Sequence, residues 1–277
     1  PVTAKIAGSN PVGPVLKMMN LNPRPIFLEI GPLKIYWYGL LSFLTFWLIF
    51  IISFKKRKKI GLNKEDIYNL SFWLFLGSLF GARLYHVLSQ ISYYLENPLE
   101  IFFFWQGGLG IYGAGIVNFF ILFIFSKKKK ISFQSLLDFY SPLGILGIAI
   151  VRWGNFFNQE LYGYPTNSFL KIFIEKENRL PGYENFSFFH PVFLYESFFC
   201  LLVFIFLLIY EKKKKKKGEI FFLSVFLYSL FKFLIEFIRI DDQPIFFSLK
   251  INQIISLFLF IFSLFFLIRT KLNLKTF

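Results

Sequence analysis

The chain has 277 residues, is 56% hydrophobic and 22% aromatic, and carries a formal net charge of +15. Its mean hydropathy of +0.56 and its unbroken apolar runs exclude an ordinary soluble domain. Runs of about 20 residues are what a bilayer demands, with hydrocarbon roughly 30 Å thick and a helical rise of about 1.5 Å per residue.

Such runs are too long and too unbroken for barrel strands, so the fold class read here is an all-α integral membrane protein. Residues 1–29 read as an N-terminal extension, weakly ordered. Its first 17 residues, PVTAKIAGSNPVGPVLK, have no apolar segment of the kind a signal peptide carries. They read as a leader or an upstream-extended reading frame. Seven transmembrane helices are predicted in a membrane domain over 30–270, at about 36–54, 68–88, 109–126, 137–157, 190–210, 219–239 and 250–268. A periplasmic head is placed at about 158–189, and a cytoplasmic tail at 271–277.

The connecting segments alternate sides, and their charge orients them. One set holds KKRKK (55–59), Lys64, KKKK (127–130), KKKKKK (212–217), Arg269, Lys271 and Lys275, which is 19 basic residues. The other set holds 7, although its segments are longer. The positive-inside rule then puts the N-terminus outside and the C-terminus in the cytoplasm. It also accounts for the net charge, so the lysine blocks read as topology and headgroup anchors and not as a nucleic-acid patch. Cys200, the only cysteine, lies in FFCLLVF and reads as an inert core residue. No internal repeat is found, which leaves an inverted-repeat transporter without support.

Ionisable side chains inside a bilayer are costly and are functional candidates by default. In chain order they are Arg83 and His86 in span two, Arg152 in span four, His190 and Glu196 in span five, and Lys232, Glu236 and Arg239 in span six. With this topology each falls in the outer half of its helix, as do Tyr36, Tyr38 and Tyr112. No ionisable residue is read in the inner halves. A transporter or channel would need polar groups through both halves. One shared depth suits a site acting on a lipid headgroup. Lys232, Glu236 and Arg239 fall on one helical stripe, and Arg152 and Asn155 share a face. Glu160 is expected beyond the helix, in the loop ending at Gly163. Two arginines with carboxylate partners can clamp a phosphate, because guanidinium presents paired planar donors. The plainer alternative is that these are structural ion pairs holding helices together.

The motif GIAIVRWGNFFNQELYG (147–163) resembles the signature of the prolipoprotein diacylglyceryl transferase family: Arg-x-Gly-Asn-Phe, then Asn-x-Glu-x-x-Gly. HPVFLYES (190–197) and FKFLIEFIR (231–239) resemble two further segments of that family. WYGL (37–40), GARL (81–84), GGLGIYGAGI (107–116) and NQIIS (252–256) follow in the family's order, so the resemblance covers about residues 30–270. It implies a multi-pass enzyme of the bacterial inner membrane with no cofactor and no metal. Such an enzyme moves the diacylglyceryl group of phosphatidylglycerol onto the lipobox cysteine of a prolipoprotein signal peptide, releasing glycerol phosphate. The implied partners are phosphatidylglycerol, prolipoprotein signal peptides and membrane lipids, with no nucleic acid.

The resemblance implies catalytic roles for Arg152, Arg239, Glu236 and Tyr112. It implies substrate binding by Arg152, Asn155, Asn158, Glu160, Gly163, Tyr38, His190, Tyr195 and Glu196. The chain departs from the family at two positions. Tyr112 stands where members often carry a histidine, and a phenol with a pKa of about 10 is a poor base at neutral pH. Either the base lies elsewhere, or the tyrosine orients and the thiol gives its proton to the phosphate or to water. Lys232 stands where some members carry arginine, so the charge survives without the fork. A small-molecule transporter or channel is the runner-up, and a lipid-binding scaffold is a third reading.

Overall fold

In the computed structural model the described residues are 23–31, 33–103, 107–241 and 243–271. The leader read at 1–17 and residues 272–277 of the predicted tail lie outside them. The chain enters through an antiparallel hairpin, β1 (Ile26–Ile30) and β2 (Leu33–Tyr36), with Ile30 opposite Leu33. β2 runs directly into α1 (Trp37–Lys56). Next come α2 (Lys64–Ser89), a short α3 (Ile91–Glu96), α4 (Ile111–Lys129) and α5 (Phe133–Asn158). A segment carrying the β3–β4 pair (Ile172–Phe173, Phe188–Phe189) leads to α6 (Val192–Tyr210). Then come α7 (Glu219–Ile235), the β5–β6 hairpin (Ile245–Phe246, Leu249–Lys250) and α8 (Ile251–Lys271).

The long helices α1, α2, α4, α5, α6, α7 and α8 fall on the apolar runs read from sequence. Among the described residues, five helical stretches are long and apolar enough to cross a membrane: Trp37–Ile60, Ile111–Lys129, Phe133–Asn158, Val192–Tyr210 and Ile251–Arg269. α2 carries Lys64, Glu65, Asp66, Arg83 and His86, and α7 has only 17 residues. The helical expectation holds as a mostly helical fold, to which the described residues add three antiparallel two-stranded pairs. They sit at helix ends, where backbone groups beyond the helical ladder still need partners.

α5 is the hub, packing against α1, α4, α6 and α7. Large apolar side chains such as Phe80, Phe120, Ile124, Phe198 and Phe258 turn outward, the arrangement suited to a lipid solvent. At the lysine-rich end, Leu62, Ile67, Leu70, Leu122, Phe125, Leu136 and Leu137 form one buried cluster. There Asn63 and Asp66 cap α2 reciprocally, and Lys129 pairs with Asp66. Burial opposes ionisation of Asp66, but Lys129 and the Asn63 amide outweigh it and hold the carboxyl below its ordinary range.

The expectation of no ionisable group in the inner halves is corrected by Asp138. It is buried near the start of α5 and accepts from Gly218 N (2.8 Å), Phe221 N (2.9 Å) and Lys214 Nζ (3.2 Å). The free amides that begin α7 require an acceptor there, and this carboxylate supplies it from the neighbouring helix.

Candidate active site

At the other end of α5 the backbone is built first. Gln159 takes a left-handed conformation (φ 53°) and ends the helix, with Glu160 N–H donating to Asn155 O. That turn brings Glu160 back, so its Oε1 accepts from Asn155 Nδ2 (2.8 Å) and Asn158 Nδ2 (3.1 Å). Gly163 then pairs with Arg239 in a bridge between the loop after α5 and the end of α7. Tyr164 N–H donates to Ile238 O at 3.0 Å. A Cβ on Gly163 would stand 2.7 Å from Ile238 O, so only glycine lets the two strands of chain approach. Gly154 has the same kind of reason: a Cβ there would stand 2.5 Å from the Tyr38 ring. Both motif glycines are therefore sites of close approach that assemble the site.

The side chains above this scaffold form one continuous row. Arg152 donates from Nη1 to Asn155 Oδ1 (3.3 Å) and from Nη2 to Glu196 Oε1 (2.8 Å). Glu196 is fully buried and also accepts from Tyr228 OH (2.7 Å) and Lys232 Nζ (3.3 Å). Lys232 Nζ lies 3.1 Å from Glu236 Oε1, and Arg239 Nη1 donates to that same carboxylate at 2.9 Å. Gln243 Nε2 supplies a further bond to Glu236 at 2.9 Å. Arg239 also pairs with Asp241, and Lys250 Nζ donates to the carbonyls of Glu236 and Arg239. Three cations alternate with three carboxylates, which is how charges persist in a low-dielectric interior. Arg152 Nε is buried and, among the described residues, has no hydrogen-bond partner. A planar guanidinium edge with an uncommitted donor, in a row of cations, can receive an anion and hold it by geometry as well as charge.

The predicted residues divide cleanly. Arg152, Asn155, Asn158, Glu160, Glu196, Glu236 and Arg239 are joined through this row, and Gly163 joins it by backbone. Tyr38, in the first turn of α1, feels the charges of Arg152, Glu160 and Glu196. Tyr112 opens α4 and donates its hydroxyl hydrogen to Asn252 Oδ1 (2.9 Å), within the field of Glu236 and Arg239. His190 and Tyr195 pair with each other, ring nitrogen to hydroxyl at 3.1 Å. Among the described hydrogen bonds, His190 meets the rest through its carbonyl, which accepts from Gly163 N–H.

Sequence reasoning assigns nothing to Tyr228, Asp241, Gln243 or Lys250, meets Asn252 only within the NQIIS motif, and reads Lys232 as a charged member of the stripe with Glu236 and Arg239 without a binding or catalytic role. Tyr228 was readable, standing one turn before Lys232 on the same stripe. Asp241, Gln243 and Lys250 lie outside the helices, in a stretch whose spacing carries no periodic signal. Cys200 is buried beside Ile145, Ala149 and Val203, as the core reading expects. Among the described residues no group of three or more His, Cys, Asp and Glu could hold a metal ion.

The sequence pattern of the prolipoprotein diacylglyceryl transferase family matches residues 25–269. The chain is 40% identical over 248 residues to a protein of Trichormus variabilis, covering 87% of this chain and 88% of that one. It is 35% identical over 240 residues to one of Halalkalibacterium halodurans, covering 85% and 82% of the two chains. It is 40% identical over 238 residues to one of Thermotoga maritima, covering 84% and 80%. Each of these relatives is named phosphatidylglycerol–prolipoprotein diacylglyceryl transferase.

Proposed function

This chain belongs to the prolipoprotein diacylglyceryl transferase family, and from that premise we propose that it moves the diacylglyceryl group of phosphatidylglycerol onto the lipobox cysteine thiol of a prolipoprotein. The observation that carries this reading is the row from Arg152 through Glu196, Lys232 and Glu236 to Arg239, at the head end of the helices. The thiol sulfur attacks the glyceryl carbon next to the phosphate. A carbon–sulfur bond forms, the carbon–oxygen bond breaks, and its electron pair leaves on glycerol phosphate. The thiol proton ends on that phosphate. Negative charge grows on the leaving oxygens, and fixed cations aimed at them stabilise that change most where water is excluded.

In this assignment Arg152 and Arg239 bind the phosphate, and Glu196 and Glu236 hold them in place. Asn155, Asn158 and Glu160 hold the Arg152 side of the headgroup, and Gly163 fixes the loop. Tyr38, His190 and Tyr195 line the lipid path. Tyr112 orients; its hydroxyl already gives its hydrogen to Asn252, which does not suit a base. Seven spans, with the N-terminus outside the bacterial inner membrane and the C-terminus in the cytoplasm, fit the lysine distribution and bring the site to the outer leaflet.

The test is direct. Membranes containing the protein should label a lipobox peptide from tail-labelled phosphatidylglycerol, and not from phosphatidylethanolamine or onto a peptide with serine for cysteine. Absence of phosphatidylglycerol-dependent labelling by well-folded protein would refute the proposal.

A further inference from the structure

Arg239 has its Nε–Nη2 edge committed to one carboxylate of its own chain and an Nη1 donor committed to another. Nη1 donates to Glu236 Oε1 at 2.9 Å, Nε to Asp241 Oδ2 at 2.7 Å, and Nη2 to that same Asp241 oxygen. A phosphate can take the Nε–Nη2 edge as a fork only by displacing Asp241, and the Nη1 donor bound to Glu236 only by displacing that carboxylate.

They are not equally displaceable. Glu236 is fully buried and is held in addition by Lys232 Nζ (3.1 Å) and Gln243 Nε2 (2.9 Å). Asp241 lies in the stretch after α7 with its side chain 27% exposed, and among the described residues every hydrogen bond of its carboxylate goes to Arg239. The arginine itself is fixed from behind. Its backbone pairs with Gly163, and Lys250 Nζ bonds its carbonyl. Rotating the short Asp241 side chain away leaves all of this in place.

We propose that Asp241 is an internal anion occupying the phosphate-binding edge of Arg239, and that it is exchanged for the phosphodiester of the substrate lipid, so that it sets the affinity for that lipid. The proposal rests on the reading that Arg239 engages the phosphate. Charge supports the exchange. Arg152, Lys232, Arg239 and Lys250 balance Glu160, Glu196, Glu236 and Asp241, and a phosphodiester carries the same single negative charge as the carboxylate it replaces. Adding the phosphate with Asp241 still seated would press two anions against one guanidinium edge in a low-dielectric site. Geometry supports it as well, since the guanidinium fork matches carboxylate and phosphate alike. The same exchange run backwards helps expel the glycerol phosphate product.

The experiment measures binding, so that inactive variants remain informative. The full-length protein, in neutral detergent, is titrated against a tail-labelled phosphatidylglycerol and read by fluorescence anisotropy, with thermal melting as a check on folding. Removing an internal competitor raises the fraction of protein competent to bind, so Asp241→Asn and Asp241→Ser should each tighten binding, by about three- to tenfold. Glycerol phosphate should compete more strongly in both variants. A residue that merely supports the structure would not produce a gain in affinity. Unchanged or weaker binding in both folded variants overturns the proposal. Arg239→Gln tests the premise separately. If it leaves lipid binding unaltered, Arg239 does not engage the phosphate and the premise falls. If it weakens binding while both Asp241 variants behave as wild type, only the exchange falls.

Discussion

Replacing Arg152 with lysine preserves the charge while removing the planar fork, and so separates two roles. If Arg152 only neutralises Glu196, a lysine should serve, because Lys232 already does so at the other oxygen of that carboxylate, 3.3 Å away. If Arg152 clamps a phosphate, lysine fails on geometry. Its single nitrogen can keep the contact to Glu196 but cannot also hold Asn155 Oδ1 and present a second in-plane donor. Asn155 then loses its anchor, and with it the bond to Glu160. One lost charge-assisted contact costs roughly 1.5–3 kcal/mol. At about 1.36 kcal/mol per decade, that is a fall of about 10- to 150-fold in kcat/KM. The assay is transfer from phosphatidylglycerol to a lipobox peptide, normalised to the protein in the membrane. Near-normal transfer by a lysine variant at normal level would refute the clamp and remove Arg152 from the catalytic centre.

Gly154→Ala should depress transfer and lower stability by about 1–3 kcal/mol, read by thermal melting, because the new methyl would enter the Tyr38 ring. A reporter active only in the cytoplasm should work when fused after Lys130 or Lys217 and fail when fused within 95–105 or 170–185; the reverse at either pair would break the topology. Asp66 titrates below its ordinary range, so its contribution is present above the unfolded pKa and is lost as pH falls through the folded one. Melting in detergent should therefore drop on acidification below about pH 4, and the drop should shrink in Lys129→Met, which removes the partner.

How much was legible differs between helices and site. The seven apolar runs announced the long helices to within a few residues, since bilayer thickness dictates length and lysines mark the ends. The stripe at 232, 236 and 239 announced a face, because helical spacing is local information. The pairing Arg152–Glu196 was only half legible: a buried arginine demands a carboxylate, yet nothing local selects Glu196 over Glu160. Among the described hydrogen bonds, Glu160 is linked to Arg152 through Asn155. Asp138 was passed over because its partners, the amides at 218 and 221, lie 80 residues or more away.

By itself, then, the sequence determined the solvent this chain folds in, where its long helices fall, and which polar residues are candidates for one site. Those properties follow from periodicity, hydropathy and charge counted along the chain. Only the tertiary structure decided who pairs with whom. It set the order of charges from Arg152 to Asp241, the seat of Tyr38 on Gly154, and the bond from Tyr112 to Asn252 across 140 residues. Each depends on how α1, α4, α5, α6, α7 and α8 are brought side by side. Helix packing sums many weak, non-local contacts, and no short window of sequence contains that sum.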